Sequence, residues 1–166
     1  MVRWLRVNNP AKKVACLKVC GTGRLKDKLN YRDSGGNICL DFVDAGWPTT
    51  YNMSQADYKA MFEKLYNYAK SDSDIIIFEA GGDLVDGNAQ EAISFAKLLQ
   101  AKKVLVVNDA MGALTGMDVL DYQADRENIF IASWKQNPFA LAQRLNVPKV
   151  VNASESNDLQ LIFEGV

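Results

Sequence analysis

Apolar residues in this chain come in short unbroken runs, each ended by a polar, glycine-bearing stretch. The runs at 13–19 (KVACLKV), 38–43 (ICLDFV), 75–78 (IIIF), 103–107 (KVLVV) and 128–132 (NIFIA), with a last short one near 150, predict β-strands. Between them apolar residues recur at helical spacing. Ser54 is a candidate N-cap, with Asp57 three residues on, for a helix whose apolar face would be Met61, Leu65 and Tyr68, flanked by Tyr58 and Phe62. A second helix is expected over 89–101, with Ile93, Phe95, Ala96 and Leu99 facing a core. A short one is expected over 115–123 and another over 138–146, opened by Pro138. Residues 2–9 read as the last turns of a helix stopped by Asn9-Pro10. The stretch 20–37 reads as a polar loop with two glycine clusters, and the tail from Ser154 to Val166 as a helix or a swapped segment.

Strands that are apolar throughout, rather than at alternate positions, are buried on both faces, as in a parallel sheet. Their alternation with helices predicts an α/β fold, a three-layer α/β/α domain with a mostly parallel sheet. The chain has 166 residues, 48% of them hydrophobic, which suits one domain with a sizeable core. Its net charge of −1 lacks the basic excess of a nucleic-acid binder. Arg3, Arg6, Lys12, Lys13, Lys18, Arg24, Lys26 and Lys28 do cluster early, either as a solvated face or as an attraction for phosphates. The absence of histidine removes a Ser-His-Asp triad and the usual zinc sets. Cys16, Cys20 and Cys39, without CxxC spacing, read as reduced core thiols. No run is long enough for a membrane span and no signal-peptide core opens the chain, so a cytoplasmic protein without a membrane partner is expected.

The chemistry gathers at the strand ends. The successive runs are followed by Gly21-Thr22-Gly23, Asp44-Ala45-Gly46, Glu79-Ala80-Gly81-Gly82, Asn108-Asp109-Ala110-Met111-Gly112 and Ser133-Trp134-Lys135. Ligands of open α/β sheets bind beyond the carboxyl ends of the strands, so acids, amides and glycines recurring there point to one shared site. Carboxylates suit Mg²⁺, a hard cation that takes one or two of them together with phosphates. Gly81 and Gly82 would let backbone N–H groups approach an anion where a Cβ would clash. Lys18 ends an otherwise apolar run, either as an edge lysine with a snorkelling stem or as a point charge for a phosphate or carboxylate. Trp47, Pro48 and Tyr51 form either a surface lid or, more commonly for such residues, a packed corner.

The order of these motifs resembles the dethiobiotin synthetase-like P-loop ATPases over nearly the whole chain. ACLKVCGTGR is similar to the family's second strand, ending in lysine, and IIIFEAGG to its strand ending in Glu-Gly-Ala-Gly-Gly. KVLVVNDAMGALTGMDVL and NIFIAS…NPFALAQRLNVPKV resemble the later strand–helix steps. The resemblance is that of a divergent member. It implies that Lys18 faces the reacting groups and that Thr22, with Gly21 and Gly23, binds substrate. It implies Glu79 as a Mg²⁺ ligand with Asp44 as second acid, Asp41 and Asp83 being the alternatives for that place. Gly81, Gly82, Asn108 and Ser133 would lie along the nucleotide. The cofactors implied are ATP and Mg²⁺, the partner a small-molecule substrate, and the candidate assembly a homodimer.

No G-x-x-x-x-G-K-[ST] occurs in the sequence. The economical expectation is that residues 1–166 follow a strand and phosphate loop supplied upstream. The alternative is a domain that lacks the loop. Two functional classes therefore stand side by side: an ATP-dependent enzyme, and a non-catalytic nucleotide-binding or regulatory module. A Rossmann-type dinucleotide binder is weaker, because Gly21-Thr22-Gly23 supplies only G-x-G.

Overall fold

The computed structural model describes residues 1–133 and 135–163. Trp134, in the stretch after the 128–132 run, and the tail end 164–166 lie outside the described residues. The chain divides into two compact units, 1–94 and 95–166, whose boundary falls within one helix. Each holds a three-stranded, all-parallel sheet, so the α/β class read from the unbroken apolar runs is what forms. Eight helices occur among the described residues. No helix there is long and apolar enough to cross a membrane.

In the first unit the elements run α1 (Val2–Asn8), β1 (Val14–Cys20), α2 (Leu25–Asp33), β2 (Ile38–Asp41), α3 (Gln55–Ser71) and β3 (Ile75–Ala80), followed by the start of α4 (Gly87–Leu98). The strand order is β2-β1-β3. β1, with a strand on each side, is buried at all seven positions. β3 ends its sheet, and Ile75 to Phe78 stay half-buried. α3 forms as its sequence asks. The Ser54 hydroxyl accepts the Asp57 N–H at 3.1 Å, and Tyr58, Met61, Phe62, Leu65 and Ala69 are buried along one face. Tyr68, expected on that face, is 63% exposed; Ala69 takes the buried position instead.

α2 corrects the expectation of a loop over 20–37. Its nine residues show no apolar periodicity and none is buried, so no pattern announces it. The second strand also stops earlier than expected, at Asp41, because the Asp41 carboxylate accepts the Val43 N–H at 2.9 Å and turns the chain.

The second unit holds β4 (Lys103–Val106), α5 (Ala110–Val119), α6 (Tyr122–Asp125), β5 (Ile129–Ser133), α7 (Pro138–Leu145), β6 (Val151–Asn152) and α8 (Ser156–Phe163), with strand order β4-β5-β6. The single helix expected over 115–123 is α5 and α6. α5 starts five residues earlier, where the Asp109 carboxylate caps the Gly112 N–H at 2.8 Å. Asp121, in a left-handed conformation at φ 58°, separates the two helices. Asn137 caps α7 by accepting the Ala140 N–H at 3.1 Å, with Pro138 at its start. The tail forms α8, one of the two forms expected of it.

Candidate functional site

The carboxyl ends of β1 and β3 meet around a cavity of about 150 Å³, lined by Gly21, Thr22, Gly81 and Gly82 together with Thr49, Thr50, Tyr51, Asp83, Asp86 and Asn88. Four of the sequence-derived residues thus share one concavity. β1 and β3 run parallel with Lys18 opposite Glu79, and the register shifts between Lys18 and Cys20. Such an irregularity re-aims side chains at a strand end. Cys20 points to α3 and α4, its sulfur 3.5 Å from the Tyr58 hydroxyl and 3.3 Å from the Asn88 carbonyl.

Lys18 is buried, 8% exposed, yet charged, which requires partners. Its Nζ donates to the Thr22 carbonyl at 3.1 Å and pairs with the Asp27 carboxylate on α2. Glu79 is exposed and accepts a hydrogen bond from the Tyr31 hydroxyl, also on α2. Burial, and then the Glu79 carboxylate, hold the Tyr31 phenol protonated well above its ordinary range. Asp44 accepts the Asp41 N–H at 2.9 Å and is clasped by Lys28 of α2 at 2.7 and 2.8 Å. Partial burial pushes the Asp44 carboxyl up, but Lys28 and the backbone N–H outweigh it, so the group titrates below the usual carboxylate range. Of these α2 residues the sequence marks only Lys28, as one of the early basic cluster; Asp27 and Tyr31 carry no signal of their own. The one available signal was Asp27 and Tyr31 at i, i+4, legible only once α2 is known to be helical.

The glycine loop after β1 is tied to the segment after β2. The Gly21 N–H donates to the Thr50 hydroxyl at 3.0 Å and the Gly23 N–H to the Pro48 carbonyl at 3.1 Å, while Thr22 bridges Thr49. Both glycine amides expected to meet a substrate are therefore engaged within the chain, which leaves Thr22, itself exposed, on the cavity wall. Gly21 adopts φ +109°, a conformation side chains rarely take, and at Gly23 a Cβ would lie 2.5 Å from Val43 Cγ2. Of the glycines after β3, Gly82 is the one the backbone demands, at φ +116°. The loop beyond it is folded on its own acids: Asp83 accepts the Val85 N–H at 3.0 Å and Asp86 the Asn88 N–H at 2.9 Å. Buried Asn88 then donates its side-chain amide to the Thr50 carbonyl, fixing the cavity floor. Tyr51, which lines the cavity, is 73% exposed, and Trp47, outside its lining, is 36% exposed.

The remaining predicted residues lie in the second unit. Asn108 is exposed after β4, and Ser133, fully buried at the end of β5, accepts the Gln136 N–H at 3.3 Å. A wider, open depression of about 410 Å³ in that unit is lined by Lys97, Gln100, Lys103, Asp125 and Asn128. It sits at the amino end of β4, opposite to where parallel sheets bind ligands, and Lys103 and Asp125 neutralise each other there at 2.6 Å. The cavity beyond β1 and β3 is the better candidate. No protein-family model, curated protein or solved structure matches the chain.

Proposed function

We propose that the chain is the nucleotide-handling part of an ATP- and Mg²⁺-dependent enzyme resembling dethiobiotin synthetase, which activates a carboxylate or carbamate. The observation that carries the reading is the register position of a buried lysine opposite a glutamate on two parallel strand ends, beside a glycine-lined cavity. Lys18 supplies positive charge where a transferred phosphoryl group would be stabilised. Glu79 and Asp44 supply oxygen donors of the kind Mg²⁺ takes. Among the described residues no cluster of three or more metal-binding side chains occurs, and one or two carboxylates completed by phosphates suffice for this ion. Bound Mg²⁺–ATP would contribute the phosphoryl group and the charge that balances it. In this reading the whole is a three-layer α/β/α domain in a cytoplasmic homodimer.

A non-catalytic nucleotide-binding or regulatory module is the second reading. It is favoured by the internal partners of Lys18, Asp44 and Glu79 and by the small cavity, below the ~300 Å³ at which small-molecule pockets begin. Calorimetry with ATP, with and without Mg²⁺, and phosphate release decide between them. The enzyme reading expects Mg²⁺-dependent binding weakened about tenfold or more by Glu79→Gln, and phosphate release lost in Lys18→Ala. Binding without turnover selects the module, and absence of binding overturns both.

A further inference from the structure

The three charged residues singled out in the first unit are each held by one helix. Asp27 of α2 takes Lys18, Lys28 takes Asp44, and the Tyr31 hydroxyl takes Glu79. These α2 residues are spaced i, i+1 and i+4, so they reach from adjoining faces of one turn. Yet α2 has no buried residue, and its first residue is preceded by Arg24, which makes no capping hydrogen bond. Its last turn ends at Ser34, and Gly36 just beyond donates its N–H to the Tyr31 carbonyl at 3.0 Å. A helix with little apolar surface to hold it is docked by the very side chains that a ligand would need.

We propose that α2 is a polar latch, whose docking and the occupation of Lys18 and Glu79 by a ligand exclude each other. Undocking frees a cation, a carboxylate and the strand end between them in one movement. A phosphate-bearing ligand with a divalent cation would compete for both ends of the latch at once; this clause rests on the nucleotide reading above. Local opening of this kind draws on the least stable segments of a fold, those with few buried apolar contacts.

The two thiols of β1 report on it independently of any ligand. Cys16 shares a strand face with Lys18, and a Cβ at Gly36 would lie 3.1 Å from its sulfur, so it sits under α2 and the turn that follows. Burial, and then the neighbouring Cys39 thiol, push Cys16 up to about 12. Cys20 lies instead against Tyr58 of α3. Alkylation by iodoacetamide, read peptide by peptide by mass spectrometry, separates the two faces. The double variant Lys28→Ala/Tyr31→Phe is expected to label Cys16 about tenfold faster with Cys20 unchanged, since hydrogen bonds to two carboxylates are lost. Equal acceleration of both thiols would mean general destabilisation, and no acceleration would mean that α2 is docked by other contacts. Either result overturns the latch. Adding Mg²⁺–ATP to the unaltered chain is expected to speed Cys16 in the same way. Calorimetric binding without that gain overturns the exclusion, whereas absence of binding removes the nucleotide reading and leaves the latch to be decided by the variants.

Discussion

α2 and α3 belong to the same unit and are held in opposite ways. α3 buries Tyr58, Met61, Phe62, Leu65 and Ala69 and is capped by Ser54. The Phe62 ring meets Phe78 of β3 edge-on, with centroids 5.4 Å apart. α2 has no fully buried residue, lacks a side-chain cap and is held by hydrogen-bonded pairs at the edge of the candidate site. Apolar burial is non-directional and survives small displacements, whereas partly exposed ion pairs contribute little net stability and depend on geometry. One helix builds the unit; the other is available to move.

The largest expected effect tests that difference directly. Phe62→Ala should cost about 3–5 kcal/mol, and Leu29→Ala on half-buried α2 about 1 kcal/mol, measured by urea unfolding. Equal costs would erase the contrast between the helices. A middle-sized effect concerns pH. Burial raises Cys16 from 9.0 to about 12, and raises Cys20 to about 11 against the opposing hydrogen bond from Tyr58. Both thiols resist ionisation in the folded state more than in the unfolded one. Their contribution is complete below pH 9 and is lost as pH rises through the folded values, at about 1 kcal/mol per thiol by pH 10. Unfolding curves at pH 8 and 10 check this, and Cys20→Ala should flatten the slope. The smallest effects come from the caps. Ser54→Ala should cost about 1 kcal/mol, while Arg24→Ser should add a few tenths of a kcal/mol or more to α2. Opposite signs in thermal unfolding are the result sought.

The same contrast explains what could be read from the sequence. α3 carries an N-cap, an acid three residues on and an apolar face, and each signal agrees with the others. The strands were legible because residues buried on both faces leave unbroken apolar runs. α2 was not legible, since it is set by contacts with Lys18, Asp44 and Glu79, which lie outside its own segment. The cavity was legible in half: the glycines after β1 and β3 were in view, with Tyr51 as a lid candidate, but Asn88 and Asp86 join them only through the fold. The engagement of the Gly21 and Gly23 amides by Thr50 and Pro48 was likewise hidden, because that pairing spans more than a turn of local sequence.

The placement of β1 at the centre of its sheet also has a consequence for how the chain comes to be folded. The Lys13 N–H finds its carboxylate partner on Asp74, sixty-one residues later. β1 emerges early in synthesis and is the most fully buried strand of its unit, but one of its neighbours is made only when translation reaches Ile75. Until then the strand is an uncovered, sticky segment, and pairing it is a long-range step of the slow kind. A newborn chain of this protein would be most dependent on chaperones, and most prone to aggregate, during the interval between the appearance of Val14 and that of Ala80.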